Sequence, residues 1–203
     1  MGNDGQYREL TSKWSNIYDQ YFENLYHLGI KFCNHPCIVE DTIQDLFSDL
    51  IRLKKNPDEI ENPKTYLYKS LRRRILKELD RQRKLTDKIG HIETQEFYVN
   101  YAIEKQLSED ETDNPNLERL AKALKKLSPR QKEAIYLRFE CEMDYPEIAH
   151  ILDVSIDTSR TLIYRAIKFL RIEVRKGQDN SIVLWQIISR FFRHNKHVFS
   201  NAL

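Results

Sequence analysis

Two stretches of the chain carry apolar residues at helical spacing, and this pattern constrains the fold more than any other feature. One stripe follows a single helix face: Val39, Ile43, Leu46, Phe47 and Leu50. The other repeats every four residues: Leu67, Leu71, Ile75 and Leu79. The spacing predicts two amphipathic helices, and similar spacing over 14–32 predicts a third before them. A polar loop with two prolines, 54–63, should separate the first two, and the later helix should run to about Lys84.

The second half of the chain carries two helix-start patterns in quick succession. Ser128-Pro129-Arg130-Gln131 places a capping residue before a proline and a glutamine three residues later, and Asp144-Tyr145-Pro146-Glu147 repeats the device. The short helix that follows Asp144 should end near Leu152, and Ser155 can cap another that runs to about Lys176. Two helices joined by so short a turn predict a helix-turn-helix.

Composition agrees with an all-α fold of two small domains. A chain of 203 residues with 5 Gly and 6 Pro is poor in turn formers, which argues against β-sandwiches, collagen-like repeats and general disorder. It contains no long apolar run, and its first residues lack the apolar core of a signal peptide, so we expect a cytoplasmic protein. The three cysteines, Cys33, Cys37 and Cys141, are then expected to be reduced thiols.

Charge is distributed in blocks. Residues 64–84 hold nine basic and two acidic side chains, 91–118 hold one basic and eight acidic, and 119–176 hold thirteen basic and eight acidic. Two basic modules separated by an acidic segment suggest contact with a polyanion. The acidic segment is either a passive tether or a cover for the basic faces. We therefore expect four parts: domains at 10–88 and 119–176, an acidic linker at 89–118, and a helical extension at 177–203.

The second helix of the predicted helix-turn-helix has one apolar side and one side rich in Arg, Thr and Tyr. This layout suits reading of base edges and phosphates, with Arg160 and Arg165 as the best candidates. The alternative is an amphipathic helix in any three-helix bundle. For the basic helix 64–84, the alternative is an ordinary solvated face.

Other candidate sites are weaker. Cys33, His35 and Cys37, with His27 nearby, fit no common zinc spacing, and a helix-end turn explains them better. Asp41 and Asp45 could belong to a metal-dependent nuclease but lack a third ligand. The amphipathic tail 181–199 either packs on its own domain, docks a regulatory protein or meets a membrane surface. We predict no metal, no cofactor and no catalytic residues.

Three segments resemble the extracytoplasmic-function (group IV) sigma factors of the sigma-70 superfamily. IVEDTIQDLFSDLIRLKK is similar to their region 2.2, NPKTYLYKSLRRRILKELDRQRK to regions 2.3–2.4, and LSPRQKEAIYLRFECEMDYPEIAHILDVSIDTSRTLIYRAIKFLR to region 4. The resemblance covers roughly residues 14–84 and 120–172. The segment YLYKSLRRR resembles the sequences of sigma factors of the Bacteroidetes.

The resemblance implies an RNA polymerase sigma factor, a partner of core polymerase that is not an enzyme itself. Its implied polymerase-binding residues, which face the β′ clamp helices, are Asp41, Gln44 and Asp45. The residues implied for the −10 element and its melted strand are Lys54, Lys55, Asn56, Tyr68, Lys69, Arg72, Arg73 and Lys77. The residues implied for the −35 element are Thr158, Arg160, Thr161, Tyr164, Arg165 and Lys168. Region 4 would also contact the β flap, and a membrane-anchored anti-sigma factor is expected as regulator, with no small-molecule substrate.

The chain departs from the family pattern at four positions. Arg73 stands where Asn is common, Asp153 replaces the turn glycine, Ser159 occupies a buried apolar position, and Leu162 replaces a frequent Arg. Arg73 bears on −10 preference, and Ser159 and Leu162 bear on the detail of −35 recognition, not on the fold. Asp153 tolerates a left-handed turn conformation less easily than glycine but better than most residues. The alternative function is a stand-alone helix-turn-helix regulator with an N-terminal sensor domain.

Overall fold

The structure, a computed structural model, describes residues 2–86 and 115–175. These residues belong to two compact units that divide between residues 96 and 97. Within the described ranges every regular element is a helix, which confirms the all-α prediction. None of these helices is long and apolar enough to cross a lipid bilayer. Most of the predicted linker and the predicted extension 177–203 lie outside the described residues.

Within residues 2–86 the first unit has three long helices and one short turn of helix. They are α1 (Gly2–Phe32), α2 (Pro36–Arg52), a 3-10 helix (Pro57–Glu59) and α3 (Pro63–Thr86). The predicted stripes supply the core, in which Leu25, Ile43 and Leu71 are fully buried, whereas Leu79 at the end of its stripe is only half-buried. Burial of each such side chain contributes about 1.5–3 kcal/mol, so the three helices stabilise one another.

Helix α1 begins about three turns earlier than the predicted range 14–32. Its first turns are polar, so apolar spacing cannot reveal them. Polar contacts support them instead: Lys13 pairs with Glu9 at 3.0 Å, and the Thr11 hydroxyl donates to the carbonyl of Tyr7 at 2.8 Å.

A glycine allows α1 and α2 to approach closely. A Cβ added at Gly29 would lie 2.3 Å from Cγ1 of Val39, closer than atoms can pack. Any side chain there would push α2 away from α1, so Gly29 sets the spacing of the two helices that support the rest of the unit.

Between residues 115 and 175 the second unit has four helices: α4 (Pro115–Lys126), α5 (Pro129–Phe139), α6 (Tyr145–Leu152) and α7 (Ile156–Arg175). Both predicted capping boxes are confirmed. The Ser128 and Asp144 side chains each accept from the backbone N–H three residues later, and Gln131 and Glu147 accept in return from the backbone N–H of the capping residue. Helix α4 begins at Pro115, inside the segment predicted as linker.

The turn between α6 and α7 has the geometry of a helix-turn-helix. Asp153 adopts a left-handed conformation (φ 54°, ψ 51°), as expected of the residue in the place of the turn glycine. The Ser155 hydroxyl accepts from the N–H of Thr158 at 3.1 Å and so caps α7 as predicted. The Arg130 guanidinium donates to the carbonyl of Leu152 at 2.7 Å, so this carbonyl in the last turn of α6 has a hydrogen-bond partner.

Candidate nucleic-acid interface

The acidic face of α2 lies at the surface. Asp41, Gln44 and Asp45 are exposed and lie on the side opposite the buried stripe of this helix. One turn later Asp49 has a different role, because Arg52 and Arg74 donate to its two oxygens at 2.8 and 2.9 Å. These guanidinium groups lower the pKa of Asp49 and tie α2 to α3. Unlike Asp49, the carboxylates of Asp41 and Asp45 lie on the exposed surface of α2.

The loop after α2 carries the next predicted residues. Lys54 and Lys55 are exposed, and Lys54 has a positive φ of 51°. The Asn56 side chain accepts from the N–H of Asp58 at 3.1 Å and caps the 3-10 helix. Two cations are thus displayed on a tight turn, with Asn56 mainly shaping that turn.

Helix α3 divides its predicted DNA-binding residues between surface and core. Arg73 and Lys77 are exposed, and Lys69 is half-buried. Tyr68 is only 2% exposed and Arg72 only 7%. The prediction that these two side chains meet DNA is therefore corrected: both lie on the buried side of α3, where a tyrosine ring has no open face for base stacking.

Other cations of α3 make ion pairs inside the unit. Arg74 binds Asp49, Arg81 binds Glu78 at 2.8 Å, and Lys84 binds Asp80 at 2.8 Å. Arg81 lowers the pKa of Glu78 by hydrogen bonding, as Lys84 does for Asp80. Arg74, Arg81 and Lys84 are thus engaged within the unit, while Arg73 and Lys77 lie on the exposed side of α3.

Helix α7 presents all six of its predicted residues to solvent. They are Thr158, Arg160, Thr161, Tyr164, Arg165 and Lys168. Tyr164 is 64% exposed, so its ring is accessible to a ligand. The opposite row, Ser159, Ile163, Ala166 and Leu170, is buried. The polar face is therefore open to solvent at all six positions.

A buried hydroxyl seats α7 against α6. Ser159 is fully buried and shares its proton between the carbonyls of Tyr145 at 3.0 Å and Ile156 at 2.8 Å. The departure from an apolar residue at this position is thus compensated by hydrogen bonds. Leu162, the other departure on this helix, is half-buried.

Several residues that shape these surfaces could not be selected from the sequence. The ring of Tyr145 lies beneath two guanidinium groups, Arg138 at 5.0 Å and Arg160 at 5.7 Å, and Arg160 also pairs with Asp157 at 3.2 Å. In the first unit, Trp14 donates to the carbonyl of Lys55 at 2.7 Å. Apart from the Arg160–Asp157 pair within α7, each contact joins different elements, so sequence spacing carries no signal for it.

The weaker candidate sites gain no support. In residues 2–86 and 115–175, no three His, Cys, Asp or Glu side chains come together in a way that could hold a metal ion. Cys33 is buried, Cys37 is exposed, and His35 precedes the first turn of α2. Burial raises the pKa of the Cys33 thiol, so it is less reactive than a free cysteine.

Comparison with known proteins gives matches to both units. The family model for Sigma-70 region 2 matches residues 17–85, and that for Sigma-70, region 4 matches residues 117–170. RNA polymerase sigma factor SigV of Bacillus subtilis (strain 168) is 32% identical over 139 residues, which are 68% of this chain and 75% of SigV.

A solved structure shares the fold. It is the sigma factor RpoE from Bartonella quintana, crystallised with the anti-sigma factor NepR. The TM-score is 0.58 at 20% identity, over 82% of this chain and 99% of RpoE. The region 2 match covers the segment where a stand-alone regulator would need its sensor domain. Two sigma regions in the expected order, together with the identity to SigV, show that the chain belongs to the extracytoplasmic-function group of the sigma-70 family of RNA polymerase sigma factors.

Proposed function

We propose that the polar face of α7 reads the −35 element of the promoters that this sigma factor selects. Arg160 and Arg165 contact base edges or phosphates in the major groove, and the other four residues extend the contact: Thr158, Thr161, Tyr164 and Lys168. The observation that carries the proposal is the exposure of all six while the opposite row packs inward. A recognition helix needs this division between a seated side and a reading side.

The −10 element is read by the first unit, through the loop after α2 and the exposed side of α3. The contributing residues are Lys54, Lys55, Asn56, Lys69, Arg73 and Lys77. Cations at this density neutralise the phosphates of a melted strand. Because Tyr68 and Arg72 are buried, their part is to hold the surface in shape, and base stacking must come from elsewhere.

Core polymerase is bound by Asp41, Gln44 and Asp45 of α2. Exposed carboxylates one turn apart suit a basic partner helix such as the β′ clamp helices, while region 4 meets the β flap. The chain performs no reaction and uses no cofactor, since polymerase supplies the chemistry.

The place of action is the cytoplasm, where polymerase and promoter DNA are found. An anti-sigma factor, membrane-anchored as the resemblance implies, is the regulator that we propose. The RpoE structure, which contains the anti-sigma factor NepR, supports this class of partner. The similarity of residues 66–74 to factors of the Bacteroidetes supports an origin in that group.

Run-off transcription tests the proposal directly. Core polymerase is incubated with genomic fragments, with and without the full chain, and discrete transcripts are expected only when the chain is present. The variant Asp41→Lys/Asp45→Lys should lose core binding and transcription while its helicity is unchanged. Asp19→Lys/Glu23→Lys is the matched control, because it makes the same charge change, one turn apart, at exposed positions of α1. Equal loss in both variants would contradict the α2 interface, and no transcript with the unaltered chain would contradict promoter selection.

A further inference from the structure

The loop that carries Lys54 and Lys55 is held by helix α1. The indole N–H of Trp14 donates to the carbonyl of Lys55 at 2.7 Å, across 41 residues of sequence. Trp14 is fully buried, and its ring meets the ring of Phe47 edge-on at 5.9 Å between centroids. The donor is therefore fixed by the core, and the carbonyl it binds belongs to one of the two exposed cations of the loop.

A second contact from α1 reaches the same loop. The ammonium of Lys13 binds the carboxylate of Asp58 at 2.6 Å and that of Glu9 at 3.0 Å. These carboxylates, Asp58 foremost, raise the pKa of Lys13. The backbone N–H of Asp58 is in turn bound by Asn56, so the ion pair is linked to the turn that Asn56 caps. Helix α1 thus grips the loop at both ends of the segment 55–58.

The loop has a reason to need such support. Lys54 adopts a left-handed conformation that costs an L-residue about 1–2 kcal/mol. A short exposed segment with this conformation keeps a single shape only when tertiary contacts hold it. Lys13 and Trp14 both precede residue 17, where the match to Sigma-70 region 2 begins, so the support comes from outside the matched segment.

We propose that Trp14 and Lys13 are positioning residues for promoter melting: they fix the loop so that Lys54 and Lys55 meet the melted −10 strand in one geometry. The inference rests on the proposed role of this loop in −10 binding. Neither residue contacts DNA. Trp14 acts through the carbonyl of Lys55, and Lys13 acts through Asp58.

The test uses holoenzyme assembled from core polymerase and the full chain. Trp14→Phe keeps an aromatic ring against Phe47 and removes the donor. Asp58→Asn breaks the ion pair from the loop side and makes the loop more positive, so a purely electrostatic role of Lys13 would leave DNA binding unchanged or improved. Thr11→Val is the matched control, because it removes one hydrogen bond from the same part of α1 without touching the loop.

Permanganate reactivity of unpaired thymines measures opening of the −10 region, and footprinting measures −35 occupancy. We expect opening to fall about three- to ten-fold in Trp14→Phe, the equivalent of one lost hydrogen bond, and about two-fold in Asp58→Asn. Core affinity, −35 occupancy and the behaviour of Thr11→Val should match the unaltered chain.

Unchanged opening in both variants overturns the positioning role. So does an equal loss at −10 and −35, which would indicate general destabilisation. If Trp14→Phe unfolds the first unit, Asp58→Asn decides alone, because its side chain lies at the surface. Failure of the unaltered chain to open any promoter would instead refute the proposed function, which separates the two ideas.

Discussion

Helices α3 and α7 were both expected to carry one polar face for DNA, yet they distribute their side chains differently. On α7 the buried side chains form a single row: Ser159, Ile163, Ala166 and Leu170. On α3 a second row lies beside the apolar one and is also buried: Thr65, Tyr68 and Arg72. The exposed face that we propose for DNA is therefore as wide on α7 as the sequence suggests, and it is narrower on α3.

The difference does not follow from the number of neighbouring helices, because α3 lies against α1 and α2 whereas α7 lies against α4, α5 and α6. It lies in the residue types, since Tyr68 and Arg72 occupy the buried strip beside the apolar row of α3. Tyrosine and arginine can occupy such a strip because their stems and rings are apolar and only their ends are polar. Apolar periodicity in the sequence identifies the row of Leu67, Leu71 and Ile75. It wrongly places amphipathic residues such as Tyr68 and Arg72 at the surface.

The largest effect that follows concerns Tyr68 and Tyr164, the two tyrosines assigned to DNA from the sequence. Tyr68→Ala should destabilise the first unit by about 3–5 kcal/mol, because it empties a fully packed site. Tyr164→Ala should change stability by less than about 0.5 kcal/mol, because its ring is exposed. Hydrogen exchange followed separately in α3 and α7 measures both. Retained protection of α3 in Tyr68→Ala would mean that the ring is not part of the core and would restore the original assignment.

The second effect concerns the reading side of α7. Arg160→Ala and Arg165→Ala should each weaken −35 binding by about 1–3 kcal/mol if they contact bases, and with less dependence on sequence if they bind phosphate. Footprinting of holoenzyme should show loss at −35 with −10 less affected. Arg171→Ala, an exposed arginine farther along the same helix, is the control and should bind normally. Equal loss at both elements would indicate a misfolded region 4 instead.

The sequence was sufficient wherever the determining contact is local. The capping boxes at Ser128 and Asp144 and the left-handed turn at Asp153 each depend on residues within a few positions. The bond between Trp14 and Lys55 and the stacking of Arg160 on Tyr145 join residues 41 and 15 positions apart. Such contacts depend on tertiary packing, so residue spacing could not predict that α1 supports the loop or that Arg72 turns inward.

The third effect tests whether the hydrogen bonds of Ser159 help to fix α7, whose buried side chains form only one row. Ser159→Ala removes the hydroxyl shared by the carbonyls of Tyr145 and Ile156 and should destabilise region 4 by about 1 kcal/mol. Urea unfolding, monitored by hydrogen exchange in α6 and α7, measures this loss of stability. Thr161→Ala, at an exposed position of α7, is the stability control. A neutral result would show that apolar packing alone seats α7, as the family's usual residue at this position implies.

The smallest effect compares two residues with positive φ that lie beside the proposed DNA-binding surfaces, one in each unit; Glu142 is the other such non-glycine residue among those that the structure describes. Lys54 and Asp153 have φ angles of 51° and 54°, a region that glycine enters without steric cost. Replacement by glycine relieves that cost but makes the unfolded chain more flexible, so Lys54→Gly should stabilise its unit by at most about 1 kcal/mol. Asp153→Gly should gain less stability, because aspartate tolerates this conformation better than lysine does.

Function should separate the two variants. Lys54→Gly removes a loop cation and should reduce permanganate reactivity at −10, whereas Asp153→Gly should leave −35 binding unchanged. If Lys54→Gly is more stable and still opens promoters normally, the backbone strain at Lys54 has no role in DNA binding. The −10 contact must then come from Lys55 and the α3 cations, without Lys54.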